Sequence, residues 1–313
     1  MRLTEQAQRL GQAVREELAR RVVGQAEAVE GLLTALLAGG HVLLEGVPGI
    51  AKTLLARSLS QAVAAQFRRI QFTPDLMPSD LVGTSVYDLK SGSFTLKRGP
   101  VFTNLLLADE INRATPKTQS ALLEAMEEHQ VTLDGETIPL PEPFLVVATQ
   151  NPVEYEGTYP LPEAQLDRFL FKLTMAYPDQ EEEVRILALD NQPSDPAPAY
   201  RISPEELAAA RREVTAVVVA EDLLRYAAAL VRTTRGSREI LLGASPRAAV
   251  GLVRGSKARA ALAGRDFALP EDVKELLLPT LRHRIVLRPE AEVEGREPDA
   301  VLRQLADTVP VPR

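Results

Sequence analysis

Residues 46–53 place the tightest constraint on how this chain can fold. They read Gly-Val-Pro-Gly-Ile-Ala-Lys-Thr, follow the apolar run at 41–44 and precede a helical pattern at 54–59. A glycine-containing loop between a strand and a helix turns backbone N–H groups inward, and the helix N-terminus adds partial positive charge. The sequence therefore predicts a phosphate-binding loop between a strand and a helix.

Lys52 and Thr53, at the end of this loop, carry its predicted chemistry. Lys52 can reach the outer phosphates of a nucleotide, and the Thr53 hydroxyl can ligate its Mg²⁺. The glycine that the pattern requires before the lysine is replaced by Ala51, a residue still small enough to fit. The alternative is a Gly/Pro turn that joins a core strand to a core helix and binds nothing.

Composition narrows the class of protein. The chain has 313 residues, enough for about two domains, with a formal net charge of −7 and no cysteine. The lack of cysteine excludes disulfides and a cysteine nucleophile, and the acidic balance disfavours nucleic acid as a partner. The N-terminus lacks an apolar signal core, and no run approaches the roughly 18–20 apolar residues that cross a bilayer. We therefore expect a cytoplasmic protein without membrane insertion.

Apolar or β-rich runs alternate with helical patterns through the first part of the chain. The runs lie at residues 41–45, 67–72, 103–108, 144–148 and 168–173. Strands that alternate with helices favour an α/β fold whose parallel, doubly wound sheet is covered on both faces. Ligands bind beyond the carboxyl ends of the strands in such sheets, so the residues that follow each run are candidates for the site.

Two inserts interrupt this alternation, and both have the pattern of a β-hairpin. Residues 85–98 alternate around Ser91-Gly92, and residues 130–138 contain Asp134-Gly135, a strong two-residue hairpin signal. Both hairpins are short and polar at the tip, so we expect them to project from the domain. The alternative to a functional role is a solvated decoration.

The chain changes character near residue 191. Residues 191–199 are rich in proline, and Ser203-Pro204 with Glu206 then forms a helix start with a capping box. Neither a phosphate loop nor the alternation of strands and helices recurs beyond this point. We therefore predict two domains, residues 1–192 and residues 193–313, of which the second is all-helical.

Asp109 and Glu110 follow the apolar strand pattern at 103–108. A buried strand that ends in two acidic residues fits a magnesium carboxylate followed by a general base for attack of water on a phosphate. Their position 57 residues after Lys52 (109 − 52), with one strand and an insert between, makes the pattern specific. The alternative is a strand that ends in solvent.

These motifs together resemble the MoxR family of AAA+ ATPases. The resemblance extends from about Val22 to Leu287, and its motifs are EGVPGIAKT at 45–53, LLADEINRA at 106–114, KTQSALLEAMEE at 117–128, ATQNP at 148–152 and LDRF at 166–169. This family commonly carries alanine at the position of Ala51. The resemblance implies a P-loop AAA+ parallel-sheet core with a C-terminal all-helical lid domain. It also implies that the two hairpins are the helix-2 insert and the pre-sensor-1 hairpin, which point towards the pore of a ring.

The resemblance implies a role for each matching residue of the core. Lys52 and Thr53 match the Walker A residues that contact phosphate and magnesium. Asp109 and Glu110 match Walker B, with Asp109 holding the metal and Glu110 acting as the base. Asn151 matches sensor 1, which positions the attacking water beside Glu110.

Two arginines match residues that complete a AAA+ site. Arg168 matches the arginine finger, which enters the neighbouring subunit's site, and Arg247 matches sensor 2 of the lid. The alternatives are an ion pair of Arg168 with Asp167 or a surface glutamate, and a solvated Arg247 in a first helical turn. The implied nucleotide-binding residues are Val22, Val23 and Gly24 around the adenine, and Gly46, Val47, Pro48, Gly49, Ile50, Ala51, Lys52, Thr53, Asp109 and Arg247 around the phosphates.

The function implied by the resemblance is Mg²⁺-dependent ATP hydrolysis by a ring, a hexamer, that remodels a protein client. Partners of this family often carry von Willebrand factor A domains. The alternatives are a magnesium-chelatase ATPase subunit, a nucleic-acid motor or transcription-activating ATPase, and a nucleotide-switched scaffold that does not hydrolyse. The net charge of −7 argues against the motor, and the matching Glu110, Asn151 and Arg168 argue against the scaffold.

Overall fold

A computed structural model describes residues 4–89, 92–152, 157–191 and 201–312 of the protein. Its strands, in chain order, are β1 (His41–Glu45), β2 (Phe67–Gln71), β3 (Gly83–Asp88), β4 (Ser93–Arg98), β5 (Leu105–Asp109), β6 (Gln130–Leu133), β7 (Glu136–Pro139), β8 (Leu145–Gln150), β9 (Phe169–Thr174), β10 (Ile240–Leu242) and β11 (Val286–Leu287). The α-helices of the first part of the chain are α1 (Glu5–Ala19), α2 (Ala26–Ala38), α3 (Lys52–Ala62), α4 (Pro78–Val82), α5 (Pro116–Glu128), α6 (Glu163–Leu166) and α7 (Gln180–Asp190). Those of the second part are α8 (Pro204–Ala216), α9 (Glu221–Gly236), α10 (Pro246–Leu262), α11 (Pro270–Glu275), α12 (Leu277–Leu281), α13 (Pro289–Val293) and α14 (Pro298–Asp307).

A five-stranded sheet in the order β2-β5-β8-β1-β9 forms the centre of the first domain. All four strand pairs are parallel. Alternate residues of β5 belong to two different hydrophobic clusters: Leu107 lies in the cluster that includes α1, α2 and the lid, whereas Leu106 lies in the cluster that includes α5. Each apolar run of the sequence forms a strand of this sheet, and the predicted α/β fold with a parallel-sheet core is confirmed.

Both predicted hairpins are present beside this sheet. β3 pairs with β4 and β6 pairs with β7, each pair antiparallel. The turn of the second hairpin has positive φ at Asp134 (50°) and Gly135 (86°), as its sequence requires. Of the first predicted turn, Ser91 lies outside the described residues.

The second domain is a bundle of helices α8–α14, and the predicted helical lid is confirmed. A short antiparallel ribbon of β10 and β11 is added to the helices. The predicted boundary at residues 192 and 193 lies outside the described residues. Helix α1, from the opposite end of the chain, packs on the lid, because the backbone N–H groups of Gln6 and Ala7 donate to the Glu213 carboxylate of α8. Among the described residues no helix combines the length and apolar composition needed to cross a membrane.

Candidate nucleotide-binding site

The predicted phosphate loop leaves β1 at the carboxyl edge of the central sheet and leads into α3, which begins at Lys52. The Gly46 N–H donates to the carbonyl of Gln150, the last residue of β8. The Lys52 ammonium donates to the carbonyl of Gly46 at 2.5 Å and to that of Gln150 at 3.4 Å. Two neighbouring strand ends therefore hold the loop and its lysine in one place.

The loop backbone needs left-handed residues at two positions. Gly49 has φ of 85°, and Ala51 has φ of 68° and ψ of 22°. The motif usually has glycine at the position of Ala51, because a residue with a Cβ is strained in the left-handed conformation. A Cβ on Gly46 would lie 2.9 Å from the Met175 carbonyl, so this glycine is required by space.

Asp109, at the end of β5, is the centre of a polar cluster beside the loop. Its Oδ1 accepts from the Thr149 hydroxyl at 2.6 Å, and the Thr53 hydroxyl lies 3.5 Å from its Oδ2. The guanidinium of Arg69 in β2 donates twice to the same Oδ2, at 3.1 and 2.7 Å. Two hydroxyls and one cation therefore surround a single buried carboxylate.

Glu110 follows directly and has a left-handed backbone, with φ of 56° and ψ of 51°. Its N–H donates to the Thr149 hydroxyl at 2.9 Å, so Thr149 ties Glu110 to Asp109. Its carboxylate accepts from the Gln71 amide at 2.7 Å and from Arg113 at 3.2 Å. Asn151 is buried directly after β8, at the same sheet edge.

Residues 22–24, predicted to line an adenine pocket, connect α1 to α2 at this edge. The Gln25 amide donates to the carbonyl of Ala176, one residue beyond the Met175 that contacts Gly46. Gly24 also has positive φ, and a Cβ there would lie 2.5 Å from the Glu182 carboxylate of α7. The segment thus lies beside the phosphate loop, with the first turn of α7 against it.

The predicted arginines lie at the opposite edge of the sheet. Arg168 directly precedes β9, whose first residue pairs with the first residue of β1. Because β1 has five residues of roughly 3.3 Å each, about 15 Å of sheet separates Arg168 from the phosphate loop. Arg168 Nε contacts Glu127 Oε2 at 2.9 Å, and Arg247 Nη2 contacts Glu127 Oε1 at 2.5 Å. The structure therefore brings the two arginines together but keeps them away from Lys52.

Charge at this amino edge is concentrated in a cleft between the core and the lid. Arg168, Arg247, Arg254 and Arg284 line it, together with Glu127 and Asp167. The hydrogen bond from Arg247 lowers the pKa of Glu127 below its usual value, with a further contribution from the charge of Arg168. Burial lowers the pKa of Arg284, against the opposing effect of its bond to Asp167. This edge is rich in cations that carboxylates hold in place.

Comparisons with known proteins agree with these observations. The family described as ATPases associated with various cellular activities (AAA) matches residues 41–171, and the AAA lid domain matches residues 232–305. The uncharacterized protein YeaC of Bacillus subtilis is 49% identical over 97% of this chain and 95% of its own length. The chaperone MoxR1 of Mycobacterium tuberculosis is 44% identical, covering 95% of this chain and 81% of MoxR1.

This chain belongs to the MoxR family of AAA+ ATPases. A solved structure from Cytophaga hutchinsonii, described as that of a proposed ATPase, superposes with a TM-score of 0.90 at 44% identity, covering 99% of this chain and 98% of that one. Membership of the AAA family implies that a MoxR protein such as this one binds a nucleotide.

The oxygen atoms at the carboxyl edge fit the magnesium ion of such a nucleotide. Mg²⁺ is bound by one or two carboxylates or hydroxyls of the protein together with substrate phosphates and water. Thr53 Oγ1 and Asp109 Oδ2 are hard oxygen donors 3.5 Å apart, beside the loop that would hold the phosphates. The donor set therefore suits Mg²⁺ better than a softer metal.

Sequence reasoning missed four residues that contact the predicted site residues. Thr149 lies inside the ATQNP motif, but the sequence did not indicate that its hydroxyl would contact Asp109 and Glu110. Arg69 and Gln71 lie in the β2 run, where their alternation on one side of the strand was the available signal. Glu127 lies in the KTQSALLEAMEE motif and had no signal of its own, because its partners are distant in the sequence.

Proposed function

We propose that this MoxR-family chain forms a homo-oligomeric ring, a hexamer, that hydrolyses ATP with Mg²⁺ and remodels a protein client. The separation of Arg168 and Arg247 from Lys52 of the same chain carries the proposal. Arginines that stabilise a phosphoryl-transfer transition state must contact the transferred group. A side chain cannot cross about 15 Å of its own sheet, so these arginines serve a neighbouring subunit.

The residues at the carboxyl edge divide the chemistry among themselves. Lys52 binds the outer phosphates, and Thr53 and Asp109 hold the magnesium ion, which supplies positive charge to the phosphates when bound. Glu110 accepts the proton of the water that attacks the terminal phosphorus, and Asn151 orients that water. Residues 22–24 contact the adenine. Phosphoryl transfer depends on such positioning and charge more than on covalent catalysis.

The ATPase part of the proposal is tested by two variants. Lys52→Ala should lose binding of a fluorescent ATP analogue. Glu110→Gln should bind it normally and hydrolyse ATP slower by roughly 10²–10⁴-fold, because the base is lost and the phosphate contacts remain. Normal binding by Lys52→Ala, or normal turnover by Glu110→Gln, would overturn these assignments.

The ring is tested by mixing subunits. Arg168→Ala subunits keep a complete phosphate loop, and Lys52→Ala subunits keep a complete arginine pair. A mixture should therefore regain activity that neither variant has alone, because some interfaces join the two intact halves. Specific activity of the wild type should also fall on dilution to monomers. Full activity of a demonstrated monomer would contradict the ring.

The remodelling role rests on the family and on the first hairpin. MoxR1 carries the name chaperone, and β3 and β4 expose the aromatic pair Tyr87 and Phe94, whose rings lie 5.2 Å apart edge to face. We propose that this hairpin points into the pore and contacts the client, in the cytoplasm where ATP is supplied. A partner with a von Willebrand factor A domain belongs to the same proposal. A capture experiment tests both the client and the partner. The Glu110→Gln protein with ATP should retain both, and the Lys52→Ala protein should retain neither.

A further inference from the structure

Glu127 lies between the two arginines that the proposed ring requires. Its two carboxylate oxygens are divided, Oε2 for Arg168 of the core and Oε1 for Arg247 of the lid. All three side chains are partly exposed, from 29% for Arg168 to 48% for Arg247, so they can meet a group from outside the chain. The chemistry proposed for the carboxyl edge of the sheet does not use Glu127. Its contacts with the two arginines at the amino edge therefore need another explanation.

The backbone is fixed on both sides of Glu127, at Met126 before it and at His129 after it. Helix α5 ends one residue later at Glu128, and His129 closes it in a left-handed conformation. The buried His41 ring of β1 contacts the carbonyl of Met126 through Nε2 at 3.0 Å, and its Nδ1 accepts from the Val146 N–H of β8. Two central strands therefore hold the helix turn from which Glu127 extends.

The backbones of the two arginines are fixed independently of Glu127. Asp167 accepts from the Ser245 hydroxyl, just before Arg247 in the chain, at 2.9 Å. The same Asp167 is paired at 2.7 Å with Arg284, whose side chain is 2% exposed. These contacts join the core and the lid close to Glu127 but do not involve it. Glu127 therefore acts mainly on the side-chain positions of Arg168 and Arg247.

Electrostatics explain why a carboxylate is needed between them. Two guanidinium groups repel each other at this range, and one carboxylate offsets most of that repulsion. Arg247 is also in the first turn of α10, where the helix dipole disfavours a cation. Without Glu127 both forces would drive the arginines apart. With it, two cations stay side by side, the arrangement that suits the several oxygens of a phosphate.

We propose that Glu127 is a positioning residue that holds Arg168 and Arg247 together for the phosphate of a neighbouring subunit's ATP. This inference rests on the proposed ring. Glu127 does not contact the nucleotide of its own subunit, whose phosphate loop lies at the other edge of the sheet. Its loss should therefore lower turnover while nucleotide binding by the same subunit is unchanged.

The first measurement separates turnover from binding. We expect Glu127→Ala to lower kcat about tenfold or more, and Glu127→Gln to lower it less, because glutamine keeps one acceptor oxygen. The dissociation constant of fluorescent ADP should change less than twofold in either variant. Glu128→Gln is the matched control, since it removes an exposed carboxylate one residue away and should leave kcat unchanged. Wild-type kcat in Glu127→Ala would overturn the proposal.

The second measurement asks which side of the interface Glu127 serves. Glu127→Ala subunits mixed with Lys52→Ala subunits should regain activity, because the former keep the phosphate loop and the latter keep the arginine pair. Mixed with Arg168→Ala subunits they should not, since both lack the same half. A general folding defect would not produce this asymmetry, and if Glu127→Ala does not fold, Glu127→Gln carries the test.

The outcomes separate this inference from the ring on which it rests. If Arg168→Ala is rescued by Lys52→Ala and Glu127→Ala is not, the inference about Glu127 is wrong and the ring stands. If neither variant is rescued, the trans arrangement is wrong, and the role of Glu127 is overturned with it.

Discussion

Ala51 and Glu110 adopt left-handed backbone conformations although neither is glycine. Such a conformation costs an L-residue roughly 1–2 kcal/mol, and strained residues of this kind cluster at functional sites where neighbouring contacts hold them. At Glu110 the holding contact is the bond from its N–H to Thr149. At Ala51 the strain comes from the turn between the loop and α3, which glycine would make more cheaply.

We predict that Ala51→Gly makes the protein as stable as the wild type or more so, by up to about 1 kcal/mol. Glycine relieves the strain but adds roughly 0.4–1 kcal/mol of freedom to the unfolded chain. Ala51→Val should destabilise by more than 1 kcal/mol, at about the cost of a β-branched residue at positive φ. Urea unfolding without nucleotide measures both.

Ala208→Gly is the control for this pair, because Ala208 is exposed inside helix α8. There the same substitution should destabilise by about 1 kcal/mol. An equal loss for Ala51→Gly and Ala208→Gly would show that the left-handed conformation of Ala51 carries no strain.

The places of Lys52 and Asp109 at the carboxyl edge of the sheet were predictable from local motifs, whereas contacts between residues distant in the sequence were not. Lys52 and Asp109 each belong to a local pattern with a physical purpose. Arg69 acts on a carboxylate 40 residues away, and Glu127 contacts Arg247 across 120 residues. A single sequence does not show which residues far apart in the chain will contact each other, so these pairs become evident only in the fold.

At the scale of secondary-structure elements, strand β2 contacts both acidic residues of the site, Asp109 and Glu110, through its side chains. Arg69 and Gln71 lie on the same side of the strand because side chains alternate. Arg69 donates to Asp109, Gln71 donates to Glu110, and Arg69 also donates to Gln71 at 2.9 Å. The strand leads through α4 into the first hairpin.

We predict that Arg69→Gln tightens the binding of Mn²⁺, used as a probe for Mg²⁺, in the presence of ADP. In the proposed magnesium site the metal ion would compete with the Arg69 guanidinium for Asp109 Oδ2, which Arg69 contacts at 2.7 Å. Removing one positive charge beside this carboxylate should strengthen cation binding by at least about tenfold, because a unit charge and a divalent ion about 4 Å apart repel each other by about 2 kcal/mol even in bulk water. Mn²⁺ electron paramagnetic resonance reports the free ion directly and does not depend on turnover.

Arg68→Gln is the matched control for this prediction. Arg68 is exposed and neighbours Arg69 in β2, so its side chain lies on the other side of the strand. Its removal changes the net charge equally and should leave Mn²⁺ affinity within about twofold, since the charge lies farther from Asp109 and is screened. An affinity that is unchanged or weaker in Arg69→Gln would mean that Arg69 supports the metal ligand and does not compete for it.

The central strands were predictable because each is a continuous apolar or β-rich run, as is typical of strands in a parallel sheet. All five apolar runs form strands, and the Asp134-Gly135 turn forms its hairpin. The ribbon in the lid escaped prediction, since β10 has three residues and β11 two, too few to show alternation. Their pairing links residues more than 40 positions apart, such as Ile240 and Leu287.

At the scale of the whole molecule, buried basic side chains join the lid to the core. The Arg284 guanidinium donates to carbonyls of Phe169 and Leu170 in β9 as well as to Asp167. His283 beside it contacts the same Phe169 carbonyl through Nε2 at 3.1 Å. The lid is therefore docked by polar groups that have lost most of their solvation, and their protonation states matter to the fold.

Two buried histidines, His41 inside the core and His283 between the lid and the core, link the stability of the fold to pH. Burial, together with the charges of His129, Arg211 and Arg254, lowers the pKa of His41 to about 4. Burial and the charge of Arg284 lower the pKa of His283 well below its usual value. Each neutral ring uses Nε2 as a donor. Protonating Nδ1 would break the Val146 bond at His41, and at His283 it would add a donor to a nitrogen without a partner among the described residues.

We predict that mild acid destabilises the protein through these two histidines. Their pKa values in the folded state lie below the unfolded value of about 6.5, so below that pH the unfolded chain binds more protons and the free energy of unfolding falls. Between about pH 7.5 and about pH 5.5 the loss should be about 1.4 kcal/mol for each histidine. Urea unfolding at the two pH values should give a loss near the sum in the wild type and about half of it in His41→Asn. The control is His129→Asn, an exposed position whose left-handed backbone asparagine tolerates. It should keep nearly the full loss, because burial is the main cause of the lowered pKa of His41 and the charge of His129 is a smaller one. Equal stability of the wild type at the two pH values would show that the buried rings are not neutral in the fold.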